Sequence, residues 1–216
     1  MAQSLAGMPP LWFWSTEIAD VLLASLQPTP HLRQDTELLS YLPFVPGIKE
    51  LLMLRQVHAL EHATVWILSD RARRVSPAFQ SESLSGLSTD RGFYLYGQVD
   101  LDELRHAAQA ALQRITAGDW DLAVHPRCGT NLSVGVVMLT GLMLGTATLL
   151  PRDPLAQILG IGAAATLTAQ LAPSLGNLAQ KYLTTAIPFN LAIDRVIEVP
   201  HAFKHPARFV QVSWID

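Results

Sequence analysis

The chain has 216 residues, half of them apolar and only 15% charged, with a formal net charge of −3 and a mean hydropathy of +0.25. An ordinary soluble domain carries about 25% charged residues, so this balance favours a small domain joined to membrane helices over one large water-soluble core. The lysines and arginines form no basic run interleaved with aromatics, which argues against a nucleic-acid partner. The single cysteine excludes an internal disulfide and fits a reducing compartment.

Residues 1–46 read as an N-terminal amphipathic or interfacial segment. Glu17 and Asp20 interrupt the apolar run after Trp12-Phe13-Trp14, and no basic region precedes it, so a cleaved signal peptide is not expected. Ile18, Val21, Leu22 and Ser25 predict an amphipathic helix over 15–26, docked either at a bilayer interface or on the domain's own core. Pro28 and Pro30 end it, and a short turn of helix follows around Asp35 to Leu42.

Residues 47–131 are expected to form an α+β domain. Its first element is a helix over 47–69, apolar on most of its circumference and therefore buried, in protein or in lipid. Residues 70–91 read as a polar loop, with Arg71, Arg73 and Arg74 in a solvated turn or facing anionic head groups. Gly92 to Gly97 predicts a strand with Tyr94 and Tyr96 on one face. Asp100 and Glu103 form a capping-box-like start to a helix that stops at Gly118; its inward stripe includes Leu104, Ala108, Ala111 and Ile115, and His106 faces solvent. Trp120 to His125 is expected to be a second strand, because the residue before Pro126 is pushed towards extended geometry.

Residues 132–178 read as a two-helix transmembrane hairpin. Leu132 to Leu150 contains no charge over 19 positions, enough to span about 28 Å as helix. Leu155 to Leu175 repeats the pattern after the polar turn at 151–154. Gly141 and Gly145, facing Gly160 and Ala164, would allow close approach within the hairpin, and glycine-spaced helices leave room for a homo-oligomer. Residues 179–216 form a C-terminal interfacial segment. Leu183 to Ile193, interrupted by Pro188, is too short to span, and Asp194–Val199 and Ala207–Trp214 alternate as two short strands. His201 and His205 lie in the turn between them, where a spacing of four has no helical meaning. Arg127, Lys181, Arg195, Lys204 and Arg208 on the domain side, against Arg152 at the hairpin tip, place the domain on the cytoplasmic face of the bilayer.

The chemistry concentrates at His58-Ala59-Leu60-Glu61-His62. In a helix these positions put two imidazoles and a carboxylate on one face. The H-x-x-E-H spacing is the inverted zincin pattern, with two histidines as Zn²⁺ ligands and the glutamate as general base on the attacking water. The further ligands must come from elsewhere, and His125-Pro126-Arg127-Cys128-Gly129-Thr130-Asn131 is the stretch that can offer them, through His125 and Cys128. A metal-free alternative has Glu61 pairing with Arg55 or a histidine in a satisfied buried cluster.

These two motifs, the second just before a long apolar segment, resemble the YqhQ-like bacterial membrane proteins, described as predicted metal-dependent enzymes. The run from Gly86 to Asn131 also resembles a cyanobacterial membrane family of unknown function. The resemblance implies that His58, Glu61, His62, His125 and Cys128 are signature positions, and it implies no substrate. Two functions follow as expectations. One is a membrane-anchored, zinc-dependent hydrolase with His58 and His62 as ligands, His125 or Cys128 completing the shell and Glu61 as base. The alternative is a membrane assembly or scaffold protein whose structural zinc is closed by His58, His62, His125 and Cys128, with Glu61 behind a ligand.

Overall fold

The helix carrying both motif histidines is buried along most of its length, with Val57, Ala59, Leu60 and Ala63 fully inaccessible, so the surrounding elements exist to cover it. In the computed structural model, which describes residues 30–75, 84–202 and 205–215, it is α2, Ile48–Val75, preceded by the short helix α1, Gln34–Tyr41. The helix expected over 15–26 lies outside the described residues. Two strands follow, β1 (Ser85–Thr89) and β2 (Gly92–Tyr96), then α3 (Leu101–Thr116). The hairpin helices are α4 (Gly129–Leu149) and α5 (Pro154–Ala179), and the chain ends in β3 (Leu191–Ala202) and β4 (His205–Trp214).

The four strands make one antiparallel sheet in the order β1-β2-β4-β3. β4 pairs with both β2 and β3, so the C-terminal strands share a sheet with the strands of the motif domain. α2 and α3 cover one face of it. Phe93, Leu95 and Val210 from the strands meet Leu104, Ala108 and Ile115 from α3 in a common core, each large side chain contributing about 1.5–3 kcal/mol on full burial. Asp100 caps α3 as its sequence predicts, accepting from the amides of Asp102 and Glu103, and His106 is exposed.

Three expectations are corrected. The loop expected over 70–91 is partly ordered structure: α2 runs on to Val75, and Ser85–Thr89 is a strand. Its Ser-Gly-Leu-Ser-Thr sequence has little intrinsic strand preference and is held by its full register against β2, from Ser85 opposite Tyr96 to Thr89 opposite Gly92. The strand expected at Trp120–His125 is a 3₁₀ turn over Trp120–Ala123, because the Leu122 amide bonds the Asp119 carbonyl; extended backbone begins only at Val124. The interfacial piece expected over 183–193 instead packs on the motif helix from Thr185 to Asn190, with Ile187 and Pro188 buried and the Ala186 amide donating to the Arg55 carbonyl.

The hairpin forms where it is expected, and α4 and α5 are each long and apolar enough to cross a membrane. Asp153 caps α5 through the Ala156 amide, and Gln157 reaches back to the Pro151 and Thr146 carbonyls. The small-residue contact is the expected one on α5 and a different one on α4. Gly160, Ala164, Ala172 and Gly176 are buried between the helices, whereas Gly141 and Gly145 have open space beside them. The tightest approach is at Gly176, where a Cβ would run into Asn131, including its backbone Cα at 3.0 Å.

Gly176→Ala is therefore expected to cost about 1–3 kcal/mol through overpacking, lowering Tm by roughly 2–10 °C in detergent micelles. Gly141→Ala, which adds a methyl to open space on a helix, is expected to leave Tm unchanged or raise it slightly. Thermal unfolding followed by circular dichroism measures both.

Candidate metal centre

His58 and His62 come from consecutive turns of α2, their ring centroids 4.3 Å apart. Each ring is oriented by a backbone carbonyl. His58 Nδ1 lies 3.0 Å from the Thr184 carbonyl oxygen, and His62 Nδ1 lies 2.6 Å from that of Ala123. A carbonyl can only accept, so both Nδ1 atoms carry a proton and Nε2 is the atom each ring could offer a metal, the arrangement that orients metal-ligating histidines.

The third member is Cys128, the N-cap of α4, whose sulfur accepts from the Thr130 amide at 3.4 Å and lies 3.2 Å from His58 Nε2. Ligand atoms of His58, His62 and Cys128 all fall within 4.8 Å of one another. Burial raises the Cys128 thiol, but the neighbouring His62 and Thr130 outweigh it and hold the thiol below its ordinary range. A thiol at a helix N-terminus beside imidazoles is poised to become a thiolate ligand. Two neutral imidazole nitrogens and a thiolate form a donor set suited to zinc.

His125 stands beside this group and is not one of the three. Its ring centroid lies 5.7 Å from that of His62 and 5.0 Å from that of Trp66, against which it packs edge-on. Its Nδ1 accepts from the Arg127 amide at 3.3 Å, so the neutral ring carries its proton on Nε2 and presents no free lone pair in this arrangement. Burial, with His62 and Arg127 nearby, pushes it down to about 4, so it is neutral at physiological pH.

Glu61 lies beneath β1. Its Oε2 accepts from the Ser88 hydroxyl at 2.9 Å, and a Cβ on Gly86 would occupy the place of its carboxylate. Burial pushes its carboxyl up, against the opposing influence of His58 and Ser88. Arg55 takes another direction, donating to the Tyr182 and Thr185 carbonyls. Glu61 and the three ligand candidates line one cleft of about 1100 Å³, walled also by Leu51, Leu54, Leu87 and Leu183.

Several supporting residues carry no motif. A five-residue π turn, Gln180–Thr184, ends α5 and aims the Thr184 carbonyl at His58. Gln180, fully buried, accepts from the His125 amide at 2.8 Å and donates to Asn131 at 2.7 Å, which in turn donates to the Pro126 carbonyl. The loop bearing Cys128 is thereby tied to the far end of the hairpin. The one sequence signal for Gln180 is its polarity at the end of a long uncharged run.

Residues 53–196 are similar to a family described as a domain of unknown function (DUF6391), a span that takes in both motifs and the hairpin. The chain is also 47% identical over 190 residues to an uncharacterized protein of Picosynechococcus sp. (strain ATCC 27264 / PCC 7002 / PR-6), covering 87% of this chain and 93% of that one. No solved structure matches it.

Gly86→Ala is expected to displace the Glu61 carboxylate and destabilise the fold by about 1–3 kcal/mol. The cost should largely vanish in a Glu61→Ala background. A double-mutant cycle read by thermal unfolding tests the contact, and additive effects would mean the strand and the carboxylate are not coupled.

Proposed function

The chain belongs to the DUF6391 family, and from that premise we propose that it is a membrane-anchored, zinc-dependent hydrolase. The observation that carries the proposal is the pair of Nδ1 hydrogen bonds to the Thr184 and Ala123 carbonyls, which leave Nε2 of each ring as the ligand candidate, in a group that lies with the Cys128 sulfur within 4.8 Å. His58, His62 and Cys128 would hold the metal. Three protein ligands leave a fourth position open, as catalytic zinc sites do and closed structural sites do not. The lone pair of His125 engaged by Arg127 favours this reading over a scaffold protein with a four-ligand structural zinc.

Zinc bound there supplies Lewis-acid polarisation of a substrate carbonyl and makes water more acidic. The protein does the rest. Glu61 takes the proton of the attacking water and passes it to the leaving group, a role in which the rise that burial gives its carboxyl makes it a stronger base. Ser88 holds that carboxylate, and Thr184 and Ala123 hold the rings.

The anchor is the α4–α5 hairpin. The 21 residues of α4 span about 31 Å, close to the hydrocarbon thickness of a bilayer. Its outer surface and that of α5 expose Leu132, Leu144, Leu149, Leu159 and Leu171, apolar side chains that lipid would cover. The excess of Arg and Lys at the domain end over the hairpin tip supports a cytoplasmic domain. The open face at Gly141 and Gly145 would suit a second copy of the hairpin.

Detergent-purified protein is expected to carry about one zinc per chain by elemental analysis. His62→Ala should lose it, Cys128→Ser should weaken retention by about ten-fold or more, and His125→Ala should keep it. Loss in His125→Ala equal to that in His62→Ala would favour the four-ligand structural site. No metal in the wild type would remove both metal readings.

Glu61→Gln is expected to keep the zinc and lose hydrolytic activity by about 100-fold or more. Turnover of a chromogenic ester by zinc-loaded protein measures it, and retained activity would remove Glu61 as the base.

A further inference from the structure

The cleft does not end at the cluster. A second hollow of about 440 Å³ runs along the hairpin between Val134, Val137 and Met138 of α4 and Ala179 and Leu183 at the end of α5. It shares Thr130, Leu183 and Thr184 with the cleft that holds His58, Glu61 and Cys128. From Thr130 to Met138 it extends about 12 Å along α4. The groove therefore begins two residues from one ligand candidate, at the residue whose carbonyl orients another, and leads into the segment that a bilayer would surround.

Its chemistry selects the occupant. The walls are helices whose backbone groups bond within the helix, and its hydroxyls are already engaged: Ser133 donates to the Gly129 carbonyl at 3.0 Å, and Thr130 and Thr184 bond each other at 3.2 Å. An extended peptide placed there would bury amides without partners, at several kcal/mol for each group in hydrocarbon. An acyl chain has no such groups. Among the described residues β1 is an edge strand of the sheet, and it also lines the cleft, so a peptide could pair at the mouth, but the groove offers nothing to the remainder of its backbone.

We propose that the substrate is an acyl-ester lipid whose chain lies in the α4–α5 groove and whose ester carbonyl sits at the cluster beside Glu61. The proposal rests on the hydrolytic reading above. Water attacks the acyl carbon, forming one C–O bond, and the C–O bond to the alcohol breaks. Glu61 takes a proton from the water and returns it to the departing alcohol oxygen. A fatty acid and an alcohol leave, with no redox change and no co-reactant except water.

Two measurements test this. Zinc-loaded protein in micelles is given p-nitrophenyl palmitate and p-nitrophenyl butyrate. The wild type should prefer the long chain by at least ten-fold in kcat/KM, and Val137→Trp or Met138→Trp, which fill the groove, should collapse that preference towards one. Leu144→Trp, on the exposed part of α4 outside the groove, should change neither rate. Circular dichroism of each variant checks that it is folded.

Separately, metal-stripped protein in phosphatidylcholine nanodiscs is irradiated with a diazirine-labelled palmitic acid. Label should concentrate on residues 134–138 relative to 144–149, and fall several-fold in Val137→Trp. Equal labelling of both stretches would mean ordinary surrounding lipid and would overturn the proposal, as would a chain-length preference unchanged by both tryptophan variants. Cleavage of casein but of neither ester would replace the lipid with a peptide substrate. Labelling confined to 134–138 with no hydrolysis of any substrate would keep the acyl groove and overturn the hydrolytic reading.

Discussion

Two short hydrogen bonds organise this molecule: His58 Nδ1 to the Thr184 carbonyl and His62 Nδ1 to the Ala123 carbonyl. Ala123 precedes α4 and Thr184 follows α5, so one turn of the motif helix holds the segments at both ends of the hairpin. The same bonds fix the tautomer of both rings. Structural anchoring and ring orientation are therefore one constraint, since a ring turned away from its carbonyl would lose both its hold on the hairpin and its direction in the cleft. Trp66 adds a third link, donating to the Val124 carbonyl at 2.9 Å.

A buried polar network does the corresponding work on the other side of α2. Gln56, wholly inaccessible, donates to Asp35 at 2.5 Å and accepts from the Asn190 amide at 3.1 Å, while the Asn190 side chain reaches Thr36 and the Ile215 carbonyl. Burial pushes the Asp35 carboxyl up, so the group is costly in its charged form and is compensated by Gln56 and the nearby Arg55. Such networks specify one arrangement because every partial alternative leaves a buried polar atom without a partner. Here the arrangement they specify joins α1, α2, the chain after the π turn and the C-terminal end.

The two cavities follow from how these elements meet. The cleft exists because β1 crosses Glu61 at a residue without a side chain, leaving the carboxylate room beside the imidazoles. The groove exists because α5 ends in a π turn that carries Leu183 outward, 70% exposed, while Thr184 turns back to the cluster. A polar centre thus meets an apolar channel within one turn of backbone.

The sequence by itself determined the motif helix, the capped helix at Asp100, the aromatic strand at Gly92 and the uncharged hairpin, because each depends on periodicity, capping or length within one contiguous segment. It also singled out His58, Glu61, His62 and Cys128, which the fold brings to one cleft, since three share a helical face and the fourth is the chain's one thiol. Only the tertiary structure decided the rest. β1 is held by pairing with β2 and not by its own preference. The run at 120–123 turns because the Leu122 amide bonds the Asp119 carbonyl, and the proline restriction acts only on His125. The hairpin closes on Gly176 as well as on the expected Gly160 and Ala164, and the Gly141–Gly145 face stays open, a rotation of α4 that residue type alone does not fix. His125 stands apart from the three-atom cluster because the Arg127 amide engages its ring and Trp66 packs against it. Ser88, Gln180, Thr184 and Ala123 orient the site through bonds spanning 27 to 126 positions of chain, and spacing along a sequence carries no information about partners that distant.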